Sequence, residues 1–448
     1  MTERDKRLKI SERWAVTYFS MWTGQTLSMI GSSVARFAII WWITEQTGSA
    51  VTLTTLALFA FIPQIFVGPI AGALVDRWSR KGVMAVSDSL SALAAAVLAY
   101  LFWIDGLAIW HIYIITFVSA LGGTFHAAAM MASTSLMVPE NHLARVQGIN
   151  QAVQGLLIVA GPPLGALALA FMPLHFIMGI DVVTAIFAVA PLLFIRIPQP
   201  SVLQSASGDT VPKSSVMQDV RSGVAYIWQW TGLLFIILFG VILNFIINPV
   251  MTLLPILVTE HFNGGAPQLA WIEAAFGVGL LGGGILLGVW GGFQKKTLML
   301  PIGLIGMALG GFAIGFAPSS AFWMACGGML IFGTVNSLLN GSLMALLQSI
   351  VEPEMQGRVF TVLGSSVQAA VPIGLLLAGP IVDAIGISAW FVIASVVMLA
   401  IGLIVPLVPQ VMNLEDSSPN ESSKQLADKH HNVEPLPLDA MNTMAVEA

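Results

Sequence analysis

The chain contains very little charge. Only 9% of its 448 residues are Asp, Glu, Lys or Arg, whereas 56% are hydrophobic. A soluble globular domain carries about 25% charged residues, so this chain cannot cover a surface that faces water and must have lipid as its solvent. A helix needs roughly 20 apolar residues to cross a bilayer. The polar breaks leave twelve such segments, at 14–43, 50–75, 83–104, 109–136, 143–170, 175–195, 231–259, 268–293, 297–316, 320–349, 357–383 and 388–411.

Several chemical signatures are also missing. The chain has one cysteine, Cys326, which excludes an intrachain disulfide. No Cys/His cluster has metal-ligand spacing, and the Gly-rich stretch 277–284 lacks the Lys-Ser/Thr pair of a phosphate loop. We therefore expect a protein that is not an enzyme and has no metal, no cofactor and no nucleic-acid partner. The predicted fold class is an all-α integral membrane protein with twelve transmembrane helices, because open sheets leave backbone groups unsatisfied in hydrocarbon.

Positive charge is absent from every second loop. All but one of the 18 Lys and Arg residues fall in breaks that would lie on one side of the membrane, and the exception is Arg36. This is the positive-inside pattern, which predicts that both termini are cytoplasmic. The first apolar run is too long for a cleavable signal peptide, so we expect a retained first helix.

The chain also shows an internal repeat. The basic pair Arg80–Lys81 recurs at Lys295–Lys296, and the segment 138–146 recurs at 351–359, both at an offset of about 215 residues. A duplicated six-helix unit, arranged as two pseudo-symmetric bundles, is typical of transporters that bind substrate between the halves. The predicted organisation is a cytoplasmic N-terminus (1–13), a first bundle (14–195), a cytoplasmic linker (196–230), a second bundle (231–411) and a disordered cytoplasmic tail (412–448).

The loop after the second predicted helix carries the most specific motif. Its sequence, residues 72–81, is Gly-Ala-Leu-Val-Asp-Arg-Trp-Ser-Arg-Lys. This resembles the loop signature of the major facilitator superfamily, although Ser79 stands where that family usually has glycine. The resemblance implies a cytoplasmic gate in which Gly72 allows close helix packing and an acid pairs with basic residues. The predicted gate residues are Gly72, Asp76, Arg77, Arg80, Lys81 and Asp88.

The fifth predicted helix contains Gly161-Pro162-Pro163-Leu164-Gly165, which is similar to the motif of that superfamily's exporters. The alternative is an ordinary proline-kinked helix. Further stretches at 24–50, 123–132, 179–186 and 357–365 resemble the macrolide-efflux branch of its drug:proton antiporters. The similarity spans roughly residues 14–410, and the expected exporter-motif residues are Gly161, Pro162 and Gly165.

This resemblance implies a monomeric, multi-pass protein of the bacterial inner (plasma) membrane. It would export hydrophobic or amphipathic, macrolide-like drugs by proton antiport and alternating access, so its partners would be the small-molecule substrate, protons and the lipid bilayer. One alternative is an exporter of a siderophore or similar metabolite, because substrate does not follow from fold. An alternative of another class is a lipid flippase or a non-transporting receptor on the same fold.

Ionisable residues inside the membrane are costly and tend to be functional. Arg36 continues a polar stripe formed by Gln25, Ser28 and Ser32, which is predicted to face a central cavity. Glu273 lies at a similar depth, and a carboxyl group in an apolar setting suits reversible protonation. The predicted proton-coupling and gating residues are Arg36, Glu273, Asp181 and His126.

Each of these residues has a structural alternative. Arg36 can form a structural ion pair or extend towards the surface, and Glu273 can be an acid on the water-exposed rim. Asp181 can cap or pack a peripheral helix, and His126 can be a hydrogen-bonded structural group. Asp88 is expected to join the basic loop near Arg77 and Arg80.

Neutral polar and aromatic residues complete the predicted cavity. Asn244–Asn248 and Asn336–Asn340 are each spaced by four residues, so each pair lies on one helical face. Their alternative role is to join helices by hydrogen bonds. The predicted substrate-cavity residues are Gln25, Ser28, Ser32, Gln154, Asn244, Asn248, Phe276, Asn336, Asn340 and Gln368.

Overall fold

A computed structural model describes residues 3–75, 78–195 and 216–415 as a helical membrane protein. Twelve helices in this part of the chain are long and apolar enough to cross a membrane, which confirms the predicted fold class. These spanning helices are α1 (Glu3–Thr47), α2 (Ala50–Val75), α3 (Arg80–Trp103), α4 (Ile109–Met137), α5 (Glu140–Phe171), α6 (Leu174–Phe194), α8 (Thr231–Thr252), α10 (Ala266–Trp290), α11 (Met299–Gly315), α12 (Phe322–Ile350), α13 (Pro353–Ile385) and α14 (Ile387–Ile404).

Three short helices accompany the spanning ones: α7 (Val216–Trp228), α9 (Leu254–Ile256) and α15 (Pro409–Met412). The α7 helix lies inside the predicted linker and was not expected there. It packs against α13, and its Ile227 is buried. Residues 196–215, which form most of the predicted linker, lie outside the described residues.

Local sequence sets where several helices begin and end. The α3 helix starts after Ser79, whose hydroxyl accepts a hydrogen bond from the Gly82 N–H. The α10 helix ends at Gly291, whose φ of 79° is a left-handed conformation that favours glycine. Because both turns lie beside basic residues, they define what we call the basic face of the bundle, with Arg80, Lys81, Arg145, Lys295, Lys296 and Arg358. The other end is the opposite face.

The two halves of the molecule meet along two helix pairs, α2 with α13 and α5 with α10. Leu58 on α2 packs against Val371 and Leu375 on α13 in a small buried cluster. At the opposite face, the Asp383 carboxylate on α13 accepts a hydrogen bond from the Ala50 N–H at the start of α2, at 2.9 Å. This contact caps a helix of the first half with a side chain of the second.

The buried apolar residues are distributed unequally between the two faces. One continuous core runs from Val34–Ile43 on α1 through α8 and α10 to α14 and so joins both halves towards the opposite face. A separate core of the first half, which includes Tyr18, Met21 and Met84, lies towards the basic face. The halves are therefore held together mainly near the opposite face.

The segment after α14 differs from the prediction of a disordered tail from residue 412. Val411 and Leu414 are almost completely buried, at 0% and 2% exposure. The Lys296 N–H donates to the Glu415 carboxylate at 2.8 Å, and Thr297 Oγ1 donates to the Met412 carbonyl at 3.3 Å. We call residues 409–415 the C-terminal strap. The rest of the predicted tail, 416–448, lies outside the described residues.

Candidate functional site

A central cavity of about 560 Å³ lies between the two halves. The first half supplies most of its wall from α1, α3, α4, α5 and α6, whereas the second half supplies Met251, Leu254, Glu273 and Phe276. Among the second-half residues that line it, Glu273 is the one with a polar side chain. The ionisable groups of the cavity form two clusters separated along α1, and the other polar side chains of its wall include Ser28, Ser33, Ser91 and Gln154.

The first cluster, which we call the Arg36 cluster, contains Ser32, Arg36, Asp181 and Glu273. The Ser32 hydroxyl donates to Asp181 Oδ1 at 2.7 Å. The Arg36 guanidinium interacts electrostatically with both Asp181 and Glu273. No carboxylate in the described residues lies within the 4.0 Å of an ion pair with Arg36, and its side chain is exposed to the cavity. The guanidinium therefore faces the cavity within electrostatic reach of two acids.

The second cluster, the Asp88 cluster, contains Gln25, Asp88 and His126. Gln25 Nε2 donates to Asp88 Oδ2 at 2.7 Å, and Gln25 is 5% exposed. His126 Nε2 lies 3.3 Å from Asp88 Oδ1, at an angle outside that of a hydrogen bond. This contact is an ion pair when His126 is protonated.

The structure corrects the expected place of one acid. Asp88 was expected beside the basic loop, but its carboxylate lines the cavity and accepts a hydrogen bond from Gln25 of α1. Asp181, one of the predicted proton-coupling residues, also lines the cavity, where its carboxylate accepts from Ser32. Its coupling role stays a prediction. The two helices that carry these acids, α3 and α6, were expected at the periphery of the bundle, yet each places one carboxylate in the cavity wall.

Part of the predicted substrate set lines the cavity and part does not. Gln25, Ser28, Ser32, Gln154 and Phe276 belong to its wall. Asn248 donates instead to the Asn244 carbonyl and side chain, and Asn340 donates in the same way to Asn336. A side chain that bonds back to its own helix is satisfied locally. The predicted residues outside the cavity wall are Asn244, Asn248, Asn336, Asn340 and Gln368.

The predicted gate motif is only partly described. Asp76 and Arg77 lie outside the described residues. Arg80 Nη1 donates to the Ala132 carbonyl at 3.1 Å, and Lys81 Nζ donates to the Leu193 carbonyl at 3.0 Å. A Cβ added at Gly72 would meet no described heavy atom within 4 Å, contrary to the expected close packing there.

The glycines of the exporter motif lie against α1. A Cβ added at Gly161 would come within 2.2 Å of Ser33 Oγ, and one at Gly165 within 2.7 Å of the Phe37 ring. Pro162 lines the cavity. The motif therefore brings α5 close to α1 beside the Arg36 cluster.

Comparison with known proteins agrees with this architecture. A family model described as transmembrane secretion effector matches residues 14–435. Macrolide efflux protein A of Streptococcus pyogenes is 32% identical over 404 residues, covering 90% of this chain and 98% of that protein. The chain belongs to the macrolide-efflux-like branch of the major facilitator superfamily. It is therefore a multi-pass membrane transporter and not an enzyme.

More distant relatives share the same length of chain. Multidrug efflux pump Tap of Mycolicibacterium fortuitum is 25% identical, covering 87% of this chain and 94% of that protein. Among solved structures, the nucleoside transporter NupG has a TM-score of 0.64 at 11% identity, over 87% of this chain and 98% of NupG. The inward open xylose transporter XylE from E. coli has a TM-score of 0.60 at 14% identity, over 88% and 95% of the two chains. At such low sequence identity, the likeness to these structures shows only that the chain has the same fold.

Proposed function

We propose that this protein is a secondary active efflux transporter that exports hydrophobic or amphipathic, macrolide-like drugs in exchange for protons. The observation that carries the proposal is the central cavity, in which Arg36 lies between two acids beside an apolar wall that includes Phe276, Met251 and Leu254. The names of the relatives in Streptococcus and Mycolicibacterium support the same substrate class. We place the basic face in the bacterial cytoplasm, following the positive-inside rule.

The proposed cycle uses the shared attraction of Arg36 to two acids. In the state closed at the opposite face, Arg36 is attracted to both Asp181 and Glu273, and the drug enters the cavity from the cytoplasm. Opening towards the opposite face releases the drug and exposes Glu273 to the outside, where a proton neutralises it and leaves Arg36 paired with Asp181. The protein then closes at that face and opens to the cytoplasm, where Glu273 releases the proton, so a proton enters the cell as the drug leaves it. Such a transition needs only a small free-energy difference between the two arrangements.

Drug export is tested by expressing the protein in an efflux-deficient bacterial host. We expect reduced susceptibility to macrolides, and we expect a protonophore to abolish that reduction. The control is a host that produces an Arg36→Ala variant at the same membrane level. Unchanged susceptibility of the wild-type host, together with no proton-driven drug movement in proteoliposomes, would overturn the proposal.

The proton-carrying role of Glu273 gives a separate prediction. Glu273→Gln mimics the protonated state, so we expect drug binding to persist while export no longer responds to a pH gradient. The measurement is drug movement in proteoliposomes with and without an imposed gradient. Glu45→Gln is the matched control, because Glu45 is an exposed acid at the end of the same α1 that carries Arg36. Full gradient-driven export by Glu273→Gln would show that another group carries the proton.

A further inference from the structure

The Asp88 cluster and the Arg36 cluster lie at different depths in the cavity. Gln25 and Arg36 are eleven residues apart on α1, which corresponds to about 16 Å at 1.5 Å per residue. Apolar side chains of the cavity wall, including Met29, Leu157 and Ile158, accompany α1 over this interval. The cavity therefore combines these apolar side chains with the hydroxyls of Ser28 and Ser32 on α1, and it carries one cluster of ionisable groups towards each end.

The two clusters differ in charge. In the Arg36 cluster a permanent cation faces two carboxyl groups, Asp181 and Glu273. In the Asp88 cluster the carboxylate faces a neutral amide and His126, which is cationic only when protonated. Among the described residues lining the cavity, no Lys or Arg other than Arg36 is present. Arg80, on the same helix as Asp88, lies two turns away and donates to the Ala132 carbonyl.

Asp88 is only 9% exposed and has no permanent cationic partner among the described residues. Burying such a carboxylate is costly, and a cation delivered by a ligand offsets that cost. We infer that Asp88 is the subsite for the positive charge of an organic cation, with the apolar body of the ligand lying along α1 and α5 towards Phe276. His126 occupies the same carboxylate when it is protonated, so ligand and protonated His126 compete. This inference rests on the proposed function, because it names the charge class of the transported substrate.

The alternative is that the cluster only joins α1 to α3. The Gln25–Asp88 hydrogen bond joins α1 to α3 under either interpretation. The test therefore needs a measurement that would not change if the role of Asp88 were only structural. A pair of lipophilic ions of equal size and opposite charge, tetraphenylphosphonium and tetraphenylborate, supplies one. Binding of each ion is measured to the full-length protein in nanodiscs, with empty nanodiscs subtracted.

We expect the wild-type protein to bind the phosphonium and not the borate. Asp88→Asn is expected to weaken phosphonium binding about tenfold or more, because a charge-assisted contact is lost. Glu45→Gln removes an exposed acid that lies outside the cavity wall and is expected to retain phosphonium affinity. Equal binding of both ions by the wild type, or unchanged affinity in Asp88→Asn, overturns the inference. Asp88→Glu restores the charge and shows whether a loss in Asp88→Asn reflects charge or folding.

Failure of this inference can be told apart from failure of the proposed function. If the wild type exports macrolides but does not discriminate between the two ions, the Asp88 subsite fails alone. If the wild type binds the phosphonium selectively through Asp88 but exports no drug, the transport proposal fails and the subsite stands.

Discussion

Arg36 carries its charge into the cavity without a carboxylate at ion-pair distance among the described residues. We expect Arg36→Ala to abolish most drug export, because the cation shared by Asp181 and Glu273 is lost. The melting temperature should change little, since an exposed side chain usually contributes within about 0.5 kcal/mol to stability. Export in proteoliposomes and thermal denaturation measure the two quantities. Arg36→Lys keeps the charge and should retain part of the export, whereas wild-type export by Arg36→Ala would exclude this role.

At the residue scale, the sequence was most informative on α1. The spacing of Gln25, Ser28, Ser32 and Arg36 predicted one polar face, and all four residues line the cavity. The inward direction of Asp88 was not predictable, because it depends on how α3 is rotated against α1. The asparagine pairs were misplaced for a related reason. A four-residue spacing is compatible both with a cavity wall and with hydrogen bonds along one helix, which is what the structure shows.

At the scale of single elements, α5 offers a matched pair of glycines. A Cβ at Gly165 would lie 2.7 Å from the Phe37 ring, whereas one at Gly148 would meet no described heavy atom within 4 Å. We expect Gly165→Ala to cost about 1–3 kcal/mol of stability through overpacking against α1. Gly148→Ala should be neutral or stabilising by up to about 1 kcal/mol, because alanine favours the helix. Thermal denaturation of both variants checks this, and equal melting temperatures would mean that α5 can move away from α1.

Asp383 on α13 caps the start of α2, and this contact gives a second prediction at the scale of single elements. Asp383 accepts from the Ala50 N–H and its charge lies at the positive end of the α2 dipole. Asp383→Asn removes that charge, so we expect the two halves to separate more often at the opposite face. Spin labels on Glu45→Cys and Ile385→Cys, in a Cys326→Ala background, should report longer distances.

The matched control for this experiment is Asp105→Asn, which removes an acid from the loop between α3 and α4 on the same face. It should leave the distance distribution unchanged. Identical distributions in Asp383→Asn and the unmodified background would show that the cap does not stabilise the closed arrangement.

The C-terminal strap concerns the whole molecule, because it connects the segment after α14 to the start of the second half. A Cβ added at Gly232 on α8 would lie within 2.2 Å of both the Gln410 carbonyl and Leu414 Cδ1. We expect Leu414→Ala to lower stability by about 2 kcal/mol or more, because it empties a fully buried site. Gln410→Ala, whose side chain is exposed, is the control and should melt with the wild type. Equal melting of the two variants would show that the strap is not part of the folded core.

At this largest scale, the sequence predicted the twelve helices and the fold class because lipid imposes length, composition and charge asymmetry on every spanning segment. The same constraints say little about segments outside the bilayer. The α7 helix is short and follows a polar stretch, and the strap is too short to show a period. Both are stabilised by tertiary contacts, Ile227 with the core near α13 and Leu414 with α8, which no local pattern reveals.

The unequal lining of the cavity has a consequence for recombination between related transporters. Nearly all of its polar side chains come from the first half, and Glu273 is the polar contribution of the second half within the described wall. A chimera that exchanges the residues before the linker with those of a relative would therefore replace Asp88 and two charged residues of the Arg36 cluster, Arg36 and Asp181. One that exchanges the residues after the linker would keep these and replace Glu273 together with the apolar wall residues Met251, Leu254 and Phe276. Crossover within a single linker thus separates the proposed proton carrier, Glu273, from the two charged residues with which it is proposed to act.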